Sequence, residues 1–195
     1  MPRVFIAILL SPEARDAVTD EVERLRPLCR AVAWVPRDNL HLTLCFLGEL
    51  SEERLVDALA ALETTAAGGE PFTLGLHGLG AFPGLERPRI LWVGVAEGAL
   101  AARGLQARLE AGLAERGFPP EARPWHPHLT VGRVFDERRW RREATPAFRQ
   151  AVARAGSRPV ARFSITAISL MKSDLGTGGA RYTALASRTL GTRFG

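Results

Sequence analysis

Two copies of one short pattern contain the residues of this sequence that are best suited to chemistry. The copies read His41-Leu42-Thr43-Leu44 and His128-Leu129-Thr130-Val131, lie 87 positions apart and use two of the four histidines. On a β-strand, the side-chain period of two places the His and the Thr of each copy on one face and the apolar residues on the other. Two such pairs facing each other would surround a tetrahedral anion, and one imidazole could donate a proton while the other accepts one. The pattern therefore favours phosphoryl chemistry.

The pattern belongs to a longer internal repeat. Residues 3–10 (RVFIAILL) resemble residues 89–96 (RILWVGVA), with an offset of 86 that nearly matches the 87 between the histidines. Chance alone would produce two such patterns in about one chain in a thousand. The alternative, that each His only ends a buried strand, does not explain why the flanking segments also correspond. We expect a single domain over 1–195, made of two pseudo-symmetric lobes with sequence repeats of approximately 1–86 and 87–190.

Helix and strand signals recur in the same order around both patterns. Each repeat opens with an apolar strand, continues through a helix to the His-Leu-Thr strand, and then has a second helix and a closing strand. The predicted helix starts are Ser11-Pro12, Ser51 followed by Glu52 and Glu53, and Thr145-Pro146, and a helical stripe is formed by Leu105, Leu109 and Leu113. The predicted closing strands are 72–76 and 163–167, and a last strand is predicted over 182–186.

The composition is that of an ordinary globular enzyme, with 46% apolar and 24% charged residues. The apolar run Val4–Leu10 is too short to span a bilayer, and no small-residue cleavage site follows it. Cys29, in a predicted helix, and Cys45 lack metal-ligand spacing and are expected to be reduced thiols. We therefore expect a cytoplasmic monomer without membrane contact.

The net charge of +5 comes almost entirely from arginine, because Lys172 is the single lysine. The densest cluster is Arg138-Arg139-Trp140-Arg141-Arg142. Guanidinium groups beside an aromatic ring suit contacts to backbone phosphate and an unstacked base. The same residues could instead form a solvated face without a partner, and the arginine bias could reflect genome composition. RNA contact and a solvated face are both open for this cluster.

Longer runs around the two patterns carry a family resemblance. Residues 39–49 (NLHLTLCFLGE) and 126–133 (HPHLTVGR) are similar to the motifs of the two-histidine phosphoesterases. Within that superfamily the whole chain resembles the bacterial and archaeal RNA 2′,3′-cyclic phosphodiesterases, also called 2′-5′ RNA ligases. Residues 78–83 (GLGAFP) and 179–183 (GARYT) add to the resemblance. Lys172, expected in a loop after the last long strand, departs from the resemblance, because relatives commonly have an acidic residue there.

The resemblance implies a bilobal α+β fold in which two mostly antiparallel sheets are backed by helices and the active site lies in the cleft between the lobes. It also implies hydrolysis of a terminal 2′,3′-cyclic phosphate on RNA to a 2′-phosphate without a metal or cofactor, and in some relatives 2′-5′ ligation with a 5′-hydroxyl. His41 is then the general acid and His128 the general base, although the near-symmetry allows the opposite order. Thr43 and Thr130 donate hydrogen bonds to the phosphoryl oxygens.

Four further residues are candidates for substrate binding. Arg37 and Arg133 could neutralise phosphate, but strict strand alternation turns Arg133 away from the histidines unless the strand bends. Phe46 and Trp34 could stack on a base, with core packing the favoured role for each.

The two remaining histidines are assigned no catalytic role. His126 shares a predicted strand face with His128, but Pro127 between them and the absence of nearby acidic or Cys ligands disfavour a metal site. His77 alternates with Leu74 and Leu76 and is expected on the solvent side of its strand.

Two other functions fit the same residues. The cleft could bind a nucleotide or RNA without turnover, because binding and catalysis can use the same side chains. It could also hydrolyse another small cyclic phosphate. Two intact His-Leu-Thr patterns favour the enzyme.

Overall fold

The computed structural model describes residues 1–156, 158–177 and 179–191. Within these ranges there are nine strands and five α-helices. In chain order they are β1 (Arg3–Leu9), α1 (Pro12–Leu25), β2 (Val32–Trp34), β3 (His41–Glu49), α2 (Glu52–Ala67), β4 (Phe72–Phe82), β5 (Ile90–Val95), α3 (Ala99–Ala114), β6 (His128–Val134), α4 (Glu137–Glu143), α5 (Pro146–Gly156), β7 (Pro159–Ile165), β8 (Ala167–Gly176) and β9 (Gly179–Thr189). Two short 3-10 helices, Arg26–Leu28 and Arg37–Asn39, flank β2.

The predicted helix starts are confirmed. The hydroxyl oxygens of Ser11, Ser51 and Thr145 accept hydrogen bonds from backbone N–H groups three residues later, at the starts of α1, α2 and α5. These bonds satisfy N–H groups that have no partner within the helix. Short-range chemistry therefore determines where these helices begin.

The strands form two sheets with orders β3-β1-β8-β9 and β2-β6-β5-β4-β7, here called the first and second sheets. Every neighbouring pair is antiparallel. Helices α2 and α3 pack on the first sheet, whereas α1 and α5 pack on the second. The predicted α+β class with two antiparallel sheets backed by helices is confirmed.

Each sheet contains strands from both sequence repeats. The order β3-β1-β8 in the first sheet matches β6-β5-β4 in the second, so β4 and β8 are equivalent strands that are exchanged between the sheets. Helix α1 also moves to the other sheet: it follows a strand of the first sheet but packs against β7 of the second sheet and against α5. An isolated repeat would leave both sheets incomplete. This exchange accounts for the absence of a linker between the repeats.

Three sequence predictions are wrong in detail. The strand equivalent to β4 is β8, whereas the segment predicted for that place, 163–167, is divided: 163–165 end β7 at the sheet edge and Ala167 begins β8. Lys172 lies within β8 and not in a loop. Residues 168–171 are all buried, so the alternation that reveals a strand in sequence is lost there. Cys29 lies after the end of α1 in an extended conformation, because a 3-10 helix containing Pro27 intervenes.

One main core joins both sheets and all five helices. Strand β1 shows how the faces divide: Val4, Ile6 and Ile8 enter this core, whereas Phe5 and Ala7 belong to a small second cluster on the other face of the first sheet. Both cysteines are buried and free. No helix in the described part of the chain combines the length and the apolar character needed to cross a bilayer.

Candidate active site

The two motif histidines occupy equivalent positions and are held in the same way. His41 is the first residue of β3 and His128 the first residue of β6, and both are half-buried. Each Nδ1 lies 2.7 Å from the carbonyl oxygen two residues earlier, that of Asn39 or of His126. A carbonyl oxygen only accepts, so Nδ1 must carry a proton and donate it. The free position of each ring is therefore Nε2, which accepts a proton when neutral and donates one when charged.

The pKa values of both histidines are lowered below the usual 6.5, chiefly because burial penalises the charged imidazolium. The hydrogen bonds from Nδ1 oppose this effect. The positive charge of Arg133 lowers the pKa of both rings, Arg15 adds to the effect at His41, and His126 adds to it at His128. One guanidinium thus acts on both imidazoles, although they lie on different sheets.

Thr43 and Thr130 lie two positions after the histidines and are half-buried like them, whereas Leu42 and Leu129 between them are fully buried. The alternation predicted for the two patterns is therefore present in both strands. Within the described residues neither threonine hydroxyl has a hydrogen-bond partner. Both are available to a ligand on the face that carries the imidazoles.

A β-bulge follows the threonine in both strands. Thr43 and Cys45 lie opposite two consecutive residues of β1, so Leu44 between them has no partner in that strand. In the same way, Thr130 and Gly132 lie opposite two consecutive residues of β5, and Val131 between them has no partner. An extra residue reverses the alternation beyond it. Side chains after the bulge therefore change faces in both strands.

The bulges bring Phe46 and Arg133 to the face that carries the histidines. Phe46 is 62% exposed, so the expectation that it packs in the core is wrong. Arg133 is exposed as well, and no carboxylate in the described part of the chain forms an ion pair with it. These two residues are equivalent in the repeat, three positions after their threonines. The site is therefore asymmetric, with an aromatic ring on the first sheet and a cation on the second.

The other two residues predicted to bind substrate, Arg37 and Trp34, make contacts that do not involve the histidines. Arg37 forms ion pairs with Asp16 and Asp38, and it donates a further hydrogen bond to the Pro12 carbonyl. Trp34 packs against the main core, where its ring lies close to Gly132. Neither residue is brought to the histidines by a contact in the described residues.

Aromatic side chains around the histidines were missed by sequence reasoning. The rings of Phe5 and Tyr182 lie 4.8 and 5.1 Å from the ring of His41. The ring of Phe82 lies 5.1 Å from that of His128 and 5.2 Å from that of Trp92. In the sequence these residues are ordinary strand positions, and only pairing of distant strands reveals their role. They pack against the imidazoles at the ring separations that aromatic pairs prefer.

Trp125 connects the two motif strands. Its Nε1 donates a hydrogen bond of 3.1 Å to the carbonyl oxygen of Thr43, and it lies three residues before His128. Asn39 makes a second link, because its side-chain amide donates to the Ala180 carbonyl in β9 at 2.7 Å. These bonds hold the segments that precede both histidines.

Trp125→Phe should lower the free energy of unfolding by about 0.5–1.5 kcal/mol, because it removes one partly buried hydrogen bond while keeping an aromatic ring. Denaturant unfolding measures this change. Trp34→Phe is the matched control, since its buried Nε1 has no partner in the described residues. That control should be neutral or stabilising. Equal losses in the two variants would show that the Trp125 bond contributes nothing.

Within the described residues no group of three His, Cys, Asp or Glu side chains is arranged to hold a metal ion. The side chains that are present supply two proton-transfer groups, two hydroxyl donors and one guanidinium. This set can activate water, protonate a leaving oxygen and stabilise an anionic phosphoryl group.

Comparison with known proteins shows the family to which this chain is similar. The model of the 2′-5′ RNA ligase superfamily matches residues 12–177. An RNA 2′,3′-cyclic phosphodiesterase of Methanothermobacter thermautotrophicus is 33% identical over 93% of this chain and 95% of its own length. One from Thermus thermophilus is 35% identical over 96% of this chain and 90% of its own length.

Solved structures show the same fold. The crystal structure of TT0787 of Thermus thermophilus superposes with a TM-score of 0.79 at 30% identity, covering 98% of this chain and 100% of that one. Escherichia coli LigT complexed with 3′-AMP superposes with a TM-score of 0.78 at 28% identity and the same coverage.

Proposed function

The chain belongs to the 2′-5′ RNA ligase superfamily, and we propose that it is an RNA 2′,3′-cyclic phosphodiesterase that opens a terminal cyclic phosphate to a 2′-phosphate. The observation that carries this proposal is the identical anchoring of His41 and His128. Each Nδ1 is occupied by a backbone carbonyl, so each Nε2 is left for proton transfer. A cyclic phosphate ester needs two such transfers, one at the attacking water and one at the departing oxygen.

In the proposed reaction, neutral His128 takes a proton from water, and the water oxygen forms a bond to phosphorus. The bond from phosphorus to O3′ breaks, and protonated His41 gives its proton to O3′. The products are a 3′-hydroxyl and a 2′-phosphate, and the two imidazoles have exchanged protonation states. Because the two histidines are anchored alike, exchanging their roles changes no other contact in the proposal.

Thr43 and Thr130 donate hydrogen bonds to the nonbridging oxygens, and Arg133 balances their negative charge. Donors fixed by strands need no rearrangement during the reaction, which is the main source of their effect on rate. Phe46, exposed beside the phosphoryl site, stacks on the terminal base. In this proposal Arg37 and Trp34 do not touch the substrate, because Arg37 is engaged in ion pairs and Trp34 packs against the main core.

The same step forms a 2′-5′ phosphodiester when a 5′-hydroxyl replaces water. The proton donor and acceptor are unchanged, and only the attacking oxygen differs. The proposal therefore includes ligation as a second outcome of one mechanism. It takes 1–195 as one catalytic domain that acts as a monomer in the cytoplasm and needs no metal or cofactor.

Turnover of a substrate panel in EDTA tests the proposed function. The panel contains an oligoribonucleotide with a 2′,3′-cyclic phosphate end, a 2′,3′-cyclic mononucleotide, ADP-ribose 1″,2″-cyclic phosphate and a cyclic dinucleotide. We expect hydrolysis of the RNA end to a 2′-phosphate, identified by ³¹P NMR, at a rate unaffected by EDTA.

The other outcomes each exclude part of the proposal. Binding without turnover would make the protein a nucleotide- or RNA-binding module. Faster turnover of another cyclic phosphate in the panel would show that this compound, and not an RNA end, is the preferred substrate. Loss of activity on chelation, with recovery in Zn²⁺ or Mn²⁺, would replace general acid-base catalysis by the two histidines with activation of water by a bound metal.

A further inference from the structure

Positive charge is concentrated in two segments that adjoin strands of the second sheet, residues 83–89 and 133–149. Together they contain eight arginines and four carboxylates, so their net charge is +4, whereas the whole chain has +5. The charge of the remaining residues nearly cancels. A surface of this kind attracts a polyanion over distances of about a Debye length, ~8–10 Å at physiological salt.

Both segments begin at the active site. Segment 83–89 follows Phe82, whose ring contacts that of His128 at 5.1 Å. Segment 133–149 begins with Arg133 itself, which pairs with Ile90 at the start of β5. Ion pairs join the two segments, Arg87 to Glu137 at 3.7 Å and Arg149 to Glu86 at 3.6 Å. They therefore form one continuous surface that leads away from the catalytic cleft.

Two arginines of α4 on this surface are free of carboxylates. Arg139 and Arg141 are paired with glutamates of their own helix. Arg138 and Arg142 are exposed, and neither has an ion-pair partner among the residues described. An unpaired exposed guanidinium can bind an external phosphate without first breaking an internal ion pair.

The aromatic residue of the surface is Phe135 and not Trp140. Trp140 is only 2% exposed and packs edge-on against Phe148 at 5.2 Å, so of the two alternatives left open for its cluster, stacking of Trp140 on a base is excluded. Phe135 is 64% exposed and lies between Arg133 and the start of α4. Exposed aromatic rings interleaved with cations are the usual arrangement for single-stranded nucleic acid.

We propose that Phe135, Arg138 and Arg142 bind the RNA strand upstream of the terminal cyclic phosphate, which makes an oligonucleotide the preferred substrate over a mononucleotide. This inference rests on the proposed function and specifies the substrate class of the same site. The terminal nucleotide occupies the cleft, Phe135 stacks on an upstream base, and the two arginines bind backbone phosphates.

Two substrates that differ only in the upstream strand test the proposal. They are cytidine 2′,3′-cyclic phosphate and a hexaribonucleotide ending in the same group. The unmodified enzyme should have a kcat/KM at least roughly 10-fold higher for the hexamer at low salt, because of added phosphate contacts. Arg138→Ala with Arg142→Ala should remove most of this preference and leave kcat/KM for the mononucleotide within about 2-fold, since the mononucleotide has no upstream phosphate.

Salt dependence distinguishes local contacts from a loss of net charge. Each phosphate contact on a single strand contributes about 0.7 to the slope of log affinity against log salt, so the double variant should reduce the slope by about 1.4. The control, Arg103→Ala with Arg108→Ala, removes the same charge from two exposed positions of α3. That control should leave the hexamer preference and slope near those of the unmodified enzyme. Circular dichroism checks that both variants fold.

Three results would overturn the inference: no hexamer preference in the unmodified enzyme, equal losses on both substrates, or equal losses in the control. If the unmodified enzyme hydrolysed neither substrate, the proposed function itself would be refuted. Turnover of the mononucleotide without a hexamer preference would leave the proposed function intact and reject only the RNA-binding surface. An acidic protein or membrane partner would then be the next candidate for this surface.

Discussion

His128→Ala is expected to lower kcat/KM for RNA 2′,3′-cyclic phosphate hydrolysis by roughly 10²- to 10⁴-fold, because one of the two proton transfers is lost. His41→Ala should lower it over a similar range, since its ring is anchored in the same way. Steady-state kinetics with an oligonucleotide substrate measure both effects. Thr43→Ala and Thr130→Ala should cost less, because each removes one hydrogen bond and no proton transfer.

The double variant should be clearly less than multiplicatively worse than the single variants. Groups that act as a unit lose most of their effect when one is removed. His77→Ala is the matched control, because His77 is also half-buried in a strand but has no proposed role. If His128→Ala kept activity near that of the unmodified enzyme, the proposed mechanism would be refuted.

Arg133→Gln is expected to lower kcat/KM by roughly 10²-fold, through loss of charge stabilisation at the phosphoryl oxygens. It should also move the pH profile. The Arg133 charge lowers the pKa of both His41 and His128, so its removal should raise both values. Both limbs of the profile should then shift to higher pH. A variant that lost only a structural contact would leave the limbs in place.

The direction of this shift follows from the protonation states of the free enzyme. Activity requires one imidazole protonated and the other neutral, so kcat/KM should be bell-shaped, with apparent pKa values that belong to the coupled pair. Because burial and Arg133 lower both histidine pKa values from 6.5, the maximum for the unmodified enzyme should lie on the acidic side of neutrality.

Arg133→Lys is the matched control. It keeps the positive charge, so the limbs should stay near those of the unmodified enzyme. It loses the forked geometry that binds two phosphoryl oxygens, so kcat/KM should still fall. Limbs that moved as far in Arg133→Lys as in Arg133→Gln would contradict the electrostatic role given to Arg133.

Local chemistry made much of this protein predictable from its sequence. The pairing of His41 with Thr43, and of His128 with Thr130, on one strand face depends only on a side-chain period of two. Three helix starts depend on a hydroxyl that binds an N–H group three residues later. The repeat of these signals at an offset of 86 to 87 positions predicted two sheets built on one plan.

Contacts between distant segments decided the rest. Phe46 and Arg133 lie on the strand faces that carry the histidines because each motif strand contains a β-bulge. A bulge is defined by how one strand pairs with its neighbour, so it cannot be read from one segment alone. Arg37 is occupied by Asp16, 21 residues earlier in the chain, and Trp140 is buried against Phe148 of the following helix. The exchange of β4 and β8 between the sheets likewise requires both repeats to be folded together. Sequence periodicity reports the surroundings of one segment at a time, whereas these features depend on which segments meet.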